Sequence, residues 1–323
     1  MYEEYSPYKM LHFRERLKER KPIFVQWSIT HRCNMRCIFC TNRNQPEYCW
    51  ADQWKLEDIK RVAKQLREFG ILAIEVTGGG EPTLHPDFRE IHKTFVDLGF
   101  KLSLITNGSR LHLFEDLLEE YEWIRISIDA HSPQTYKRIK GVEMPDFSLV
   151  RRIQKPIVGA SFVVIKENVK EIAAFARWAK EMGFDNCRFS YNHDLPSPDY
   201  YEPILGELKE QLQEAKREET ENFRVFTLEE RLKIWQPKKY HHCYYSDLVF
   251  AISGNGFAYR CCEWINRGEK GKYGNLIKRP IWEIWGERKD LDPAKDCPPC
   301  WMDAKNEFGA YLVLDNPKHK EFI

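Results

Sequence analysis

No apolar run in this sequence approaches the roughly 20 residues that a membrane-spanning helix requires. No sign of charge dominates either. Lys and Arg number 50 against 49 for Asp and Glu in 323 residues, a formal charge of +1, so there is no electrostatic footprint for nucleic acid or anionic lipid. The opening Met1-Tyr2-Glu3-Glu4-Tyr5 lacks the cationic and apolar regions of a signal peptide, and the expectation is a cytoplasmic protein. Internal repeats and low-complexity tracts are missing too. Hydrophobic residues at 42% and aromatics at 14% exclude bulk disorder. A mass of 38.6 kDa suggests one large domain with an appendage.

What the chain does have is ten cysteines, at 33, 37, 40, 49, 187, 243, 261, 262, 297 and 300. In a reducing compartment, clustered thiols bind metal or do chemistry more often than they form disulfides.

From residue 23 to about 190, short β-branched or aromatic runs alternate with longer amphipathic ones. Strands are expected at 24–30, 73–78, 101–106, 123–129, 159–165 and 186–190, and helices at 55–69, 86–98, 109–119, 169–182 and 204–220. Gly70, Gly99 and Gly183 stand where left-handed C-caps belong. Such alternation implies an α/β fold, a parallel sheet with helices outside, either open and doubly wound or a full or partial barrel. The chemistry of such folds sits at the carboxyl ends of the strands. After about residue 221 the alternation stops. A hairpin is expected over 248–253 and 256–260, with a turn at Gly254-Asn255, and a short helix over 280–285. The remainder reads as loop, rich in Cys, Pro and Trp, where a metal commonly substitutes for a core.

Cys33, Cys37 and Cys40 form a C-x3-C-x2-C triad directly after the first strand. This spacing wraps three thiolates around one face of an iron–sulfur cube and leaves the fourth iron open to a substrate or cofactor. A structural zinc would need a fourth ligand, for which Cys49 or His31 is at hand. At the end of the second strand comes Thr77-Gly78-Gly79-Gly80-Glu81-Pro82. There, glycines permit close backbone approach and a carboxylate can accept from an ammonium. Ile105-Thr106-Asn107-Gly108 and Ser127-Ile128-Asp129-Ala130 close the third and fourth strands.

These four strand-end motifs, in this order, resemble those of the radical S-adenosylmethionine (SAM) enzymes over residues 23 to about 220. The resemblance implies a partial (β/α)6 TIM-type barrel. It further implies that Cys33, Cys37 and Cys40 ligate a [4Fe-4S] cluster whose unique iron binds SAM. One-electron reduction would then yield a 5′-deoxyadenosyl radical that abstracts a substrate hydrogen. By the same likeness Gly79, Gly80 and Glu81 hold the methionine amino group. Asn107, Ser127 and Asp129 are candidates near the carboxylate or ribose, Arg188 is a candidate for the SAM carboxylate, and Phe39 packs near adenine. The reductant implied is a flavodoxin or ferredoxin.

In the carboxy-terminal part, Cys243 and Cys261 lie in a C-x12-G-x4-C pattern followed by Cys297-Pro298-Pro299-Cys300. A hairpin thiolate joined by a later C-x2-C makes a four-thiolate site for zinc or an iron–sulfur cluster. The thioredoxin-like reading of Cys297-Pro298-Pro299-Cys300 lacks its strand-helix context. The layout resembles the SPASM extension of radical SAM enzymes or its shorter form, twitch. No cysteine follows Cys300, which implies twitch, a small domain with one auxiliary [4Fe-4S] cluster on Cys243, Cys261, Cys297 and Cys300. Either Cys261 or Cys262 could be the hairpin ligand, and strand alternation sends the two to opposite faces.

The division expected is an extension over 1–22, a barrel over 23–220 and an auxiliary-cluster domain over 221–323. The leading functional expectation is modification of a ribosomally made peptide by epimerisation, cross-linking or oxidation. In it Cys262, Cys187 or Cys49 serves as hydrogen donor, as in radical SAM peptide epimerases. The alternative is an aminocyclitol- or sugar-type dehydrogenase, for which His193, Asp194, Tyr191, His241 and His242 are acid/base candidates. Nucleotide or cofactor maturation ranks third, since no Gly-rich phosphate loop and no C-terminal Gly-Gly or Arg-rich tail is present. Anaerobically reconstituted protein should carry about eight irons per chain, one cube at each site. Iron analysis that returns about four irons, or stoichiometric zinc, would remove the second cluster.

Overall fold

The structure, a computed structural model, describes residues 6–192, 198–227, 229, 238–297 and 300–314. Two short helices, α1 (Ser6–Leu11) and α2 (Arg14–Lys18), precede strand β1 (Phe24–Ser28). The alternation expected from the sequence then unfolds. It runs through α3 (Leu56–Phe69), β2 (Ala73–Thr77), α4 (Phe88–Asp97), β3 (Lys101–Thr106), β4 (Trp123–Ser127), α5 (Pro133–Lys140), β5 (Ile157–Val164), α6 (Ile172–Glu181), β6 (Asn186–Tyr191) and α7 (Leu205–Lys216). Strands β1 to β6 pair in parallel in sequence order. The fold is mixed α/β, a partial TIM-type barrel with an unclosed sheet.

Side chains alternate across this sheet with period two. In β1, Val25 and Trp27 are buried in the layer beneath the helices, where Trp27 meets Trp54 edge-on at 5.1 Å and Phe95 at 5.3 Å. Phe24 and Gln26 face the lumen. Toward the other edge, Phe162, Phe175 and Phe189 pack with centroids 4.9 to 6.0 Å apart and join β5, β6 and α6.

Helix α5 was not foreseen in the sequence, and further features depart from that reading. The segment 109–119 is two 3₁₀ turns, Leu111–Leu113 and Glu115–Glu120, because Phe114 leaves helical backbone at φ −132 and packs edge-on against Phe88 at 4.8 Å. A seventh parallel strand, β7 (Arg224–Phe226), extends the barrel past residue 220 beside β6. The expected hairpin forms as β8 (Val249–Ile252) and β9 (Phe257–Tyr259), but β8 pairs in parallel with β1, from Phe24 opposite Val249 to Trp27 opposite Ile252.

The carboxy-terminal part therefore continues the barrel's own sheet. With an unexpected β10 (Lys272–Asn275) on β9, the ten strands run β10-β9-β8-β1-β2-β3-β4-β5-β6-β7. The helices α8 (Tyr245–Leu248), α9 (Ile281–Gly286), α10 (Pro293–Asp296) and α11 (Asp303–Leu312) complete this part. Only α9 was anticipated. None of the helices is long and apolar enough to cross a membrane.

Candidate active site

The lumen of the open barrel is a cavity of about 1430 Å³. Its walls are the inward side chains of the strands, among them Gln26, Glu75, Arg125, Ser161 and Arg188, and its mouth lies at their carboxyl ends. Cys33, Cys37, Cys40, Gly79, Gly80, Glu81, Asn107, Ser127, Asp129, Phe39 and Arg188 all line it. The fold gathers every expected SAM-site residue on one cavity.

Local hydrogen bonding explains the shape of the cysteine loop. Helix α5 ends at Gly141 in the left-handed conformation, φ 75, with terminal carbonyls that need partners. The backbone N–H groups of Arg36 and Ile38 supply them, donating to Lys140 O at 2.8 Å and Ile139 O at 2.9 Å. The loop is thus clamped to a helix end on the far side of the mouth. Burial pushes the Cys33 thiol up to about 11, and it raises Cys37 as well, against the pull of Lys140. A bound metal inverts this and holds the thiols deprotonated.

The glycines have a different reason from the one anticipated. A Cβ on Gly79 would stand 2.3 Å from His31 Cδ2, and one on Gly80 would stand 2.1 Å from the Arg32 carbonyl. The two loops pass so closely that the Gly80 and Glu81 N–H groups donate to Thr30 O at 3.0 Å and Arg32 O at 2.7 Å. Gly79 and Gly80 thus pack the Gly-rich loop onto the residues leading into Cys33.

Glu81 is buried and its carboxylate is heavily engaged. Oε1 accepts from Thr83 N at 3.1 Å, Thr83 Oγ1 at 2.6 Å and Thr106 Oγ1 at 2.7 Å; Oε2 accepts from Asn107 N at 2.6 Å. Burial still raises its pKa. Oε2 keeps one acceptor position, which is what an ammonium group could use. The Asn107 amide donates to Asn34 Oδ1 at 2.8 Å, so this side chain ties the third strand end to the cysteine loop.

Asp129 departs from expectation. Held in the left-handed region at φ 67, it accepts from Val163 N at 2.6 Å and forms a buried ion pair with Lys140, leaving its carboxylate to the protein. Lys140 also donates to Ser127 O at 3.3 Å and lies 5.4 Å over the Phe39 ring. Burial works against its ammonium, but Asp129 and Cys37 outweigh it and the net shift is upward. No motif marked Lys140. The signal available was a Lys at the last turn of an amphipathic segment, just before Gly141.

The three spare thiols separate. Cys262 lines the cavity, 4.0 Å from Glu263 Oε1. Cys187 does not: strand alternation points it into the apolar layer, where it is fully buried and its pKa is pushed far up. Cys49 is exposed and lies off the cavity wall, its carbonyl accepting from His31 Nδ1 at 3.0 Å. Neither Cys187 nor Cys49 is placed to reach a substrate in the lumen. Tyr191 lines the cavity with its hydroxyl donating to Thr227 O at 2.9 Å. His193 and Asp194 lie outside the described residues. His241 and His242 pair with Asp292 and Asp247, off the cavity wall.

Cys261, Cys262 and Cys297 pack against one small apolar cluster beside β9. After burial, the leading influences on Cys261 are Cys262, Cys300 and Cys243, and Cys243 also acts on Cys297 and Cys300. Both Cys261 and Cys262 lie beyond β9, at the start of a 3₁₀ turn, and of the pair Cys262 lines the lumen and Cys261 does not. Among the described residues no group of three or more His, Cys, Asp or Glu is gathered tightly enough to hold one metal ion. A cube asks for something else, since each thiolate binds a different iron and the ligands stand farther apart.

An open parallel barrel thus brings a three-cysteine loop and a Gly-rich loop onto one cavity. Residues 27–179 match the radical SAM superfamily, and this part of the chain is a radical SAM domain. The fold is similar to that of Streptococcus suis SuiB bound to S-adenosylmethionine (TM-score 0.63, 17% identity, 84% of this chain and 68% of that one). It is also similar to anSMEcpe with bound AdoMet (TM-score 0.60, 16% identity, 91% and 84%). In sequence the chain is 34% identical over 182 residues to a probable GTP 3′,8-cyclase of Saccharolobus solfataricus, 52% of this chain and 56% of that protein. The chain spans about half the length of the curated relatives it matches. The family implies a [4Fe-4S] cluster and SAM.

The ion pair at the mouth yields a stability prediction. Lys140→Met strands Asp129 as a buried charge and should cost about 3–5 kcal/mol. Urea unfolding of the cluster-free protein reads this as a lower midpoint; an unchanged midpoint would show that the pair does not hold the loop.

Proposed function

We propose that Cys33, Cys37 and Cys40 hold a [4Fe-4S] cluster with SAM on its open iron, and that the enzyme modifies a peptide through hydrogen abstraction and return. With both groups bound there, the cluster would supply the electron for reductive SAM cleavage and so a hydrogen-abstracting radical. Gly79, Gly80 and Glu81 orient the methionine amino group, through backbone carbonyls and the spare position on Glu81 Oε2. Asn107, Ser127, Arg188 and Phe39 bound the remainder of SAM. Asp129 acts on it through Lys140 alone. The residues after β7 form an auxiliary-cluster region on Cys243, Cys261, Cys297 and Cys300.

One observation carries the peptide reading: of the three unassigned thiols, Cys262 alone opens on the lumen. Removal of a Cα hydrogen by the 5′-deoxyadenosyl radical leaves a carbon radical and 5′-deoxyadenosine. The Cys262 S–H bond breaks as a new C–H bond forms on the opposite face, which inverts the centre. The resulting thiyl radical returns to thiol on taking up one proton and one electron from a flavodoxin- or ferredoxin-type reductant. The lumen of about 1430 Å³ would hold the cluster and SAM together with a substrate segment.

A second reading, nucleotide cyclisation, is favoured by the relative named a probable GTP 3′,8-cyclase. The two readings differ in Cys262. Turnover in D2O with a pool of short peptides, and separately with GTP, should show peptide-dependent 5′-deoxyadenosine and one deuterium per product. Cys262→Ser should keep 5′-deoxyadenosine formation and lose the deuterated product. Stimulation by GTP alone, or full product formation by Cys262→Ser, would rule the peptide reading out.

A further inference from the structure

The carboxy-terminal thiol group is surrounded by buried N–H donors that the fold leaves unsatisfied. Arg260, immediately before Cys261, is 2% exposed, and its Nε and Nη2 have no hydrogen-bond partner among the described residues. Its third nitrogen makes one long bond, 3.5 Å, to the Lys289 carbonyl. The Trp264 Nε1, in a ring 6% exposed, meets no nitrogen or oxygen acceptor among the described residues, and the group it acts on is the Cys297 thiol. A buried guanidinium left without counter-charge is among the costliest arrangements a protein can hold.

The surroundings indicate what is owed to these donors. Asp290, the carboxylate nearest in influence, is already bound by Arg20, at 2.9 Å from Nη1 and by a shorter contact from Nη2. The Arg260 charge acts instead on Cys297 and on Tyr273, and Tyr273 in turn feels Cys261 and Cys243. Burial raises the Cys297 thiol, while Trp264 and then Arg260 draw it back. Trp264 packs in one cluster with Cys261, Cys262 and Cys297, and Arg260 adjoins Cys261 in the chain, so both donors are buried beside the thiol group. The acceptor they lack must be anionic, rich in weak acceptor sites and seated among these sulfurs. A cube with four thiolate ligands has those properties, and it becomes more negative on reduction.

We propose that Arg260 and Trp264 donate N–H···S hydrogen bonds to an auxiliary cluster on Cys243, Cys261, Cys297 and Cys300, and thereby raise its reduction potential. The inference rests on reading those cysteines as cluster ligands. Donors and positive charge stabilise the reduced form over the oxidised one, and in a buried site little water screens them. The auxiliary cluster then takes up an electron more readily than it would without these donors.

The test is an EPR-monitored redox titration of wild type, Trp264→Phe, Arg260→Lys and Arg260→Met, each reconstituted and assayed for iron. Trp264→Phe keeps a large ring and deletes one N–H. Arg260→Lys keeps the charge and loses the fork, and Arg260→Met loses both. The auxiliary potential should fall in Trp264→Phe and Arg260→Met and fall less in Arg260→Lys, with the SAM-cluster potential unmoved and about eight irons retained. An auxiliary potential equal to wild type in Trp264→Phe and Arg260→Lys, at full iron content, overturns the inference and leaves the second cluster standing. About four irons in wild type would instead remove the cluster itself. Should Arg260→Met fail to hold its iron, Trp264→Phe decides the matter alone.

Discussion

The buried carboxylate of Glu81 is the constraint on which the mouth of this barrel depends. Four donors from two strand ends converge on it, and one of them, Asn107, passes the connection to Asn34 in the cysteine loop. Burying an ionised carboxylate is tolerable only when its lone pairs are met, and here they are met by the segments that must be held in register. The Gly-rich loop, the third strand end and the cysteine loop therefore move as one body. Lys140 and Asp129 repeat the device across the mouth, where the end of α5 anchors the other side of the cysteine loop.

Much of this was legible in the sequence, because period-two and period-3.6 patterns report on burial and six barrel strands are buried on one face. β1, β2, β3, β4 and β6 begin where the pattern places them, and β5 begins two residues earlier. The misses have physical causes. β7 and β10 have only three and four residues, too short to carry a period. The pairing of β8 with β1 joins segments more than 200 residues apart, which no local pattern encodes. Phe114 satisfied a helical pattern but left the helix for a tertiary contact with Phe88.

Among site residues, the motif positions proved readable and the reasons behind them less so. Gly79 and Gly80 were anticipated as room for a ligand, yet the atoms their Cβ would strike belong to His31 and Arg32. Asp129 was anticipated on the cofactor and instead holds Lys140. The choice between Cys261 and Cys262 stayed open in the sequence, and both prove to lie past the end of β9, where strand alternation has no hold. Cys187 and Cys49 required a structure, since a sequence does not reveal which face of a strand or loop meets the cavity.

The central claim is that the Cys33, Cys37 and Cys40 loop drives reductive SAM cleavage in this barrel. It is tested most directly by measuring 5′-deoxyadenosine from SAM and a strong one-electron reductant, comparing wild type with the variant carrying Cys33→Ala, Cys37→Ala and Cys40→Ala. The account predicts formation by wild type and none by the variant, with the carboxy-terminal cluster retained. Formation at the wild-type rate by the variant would contradict it.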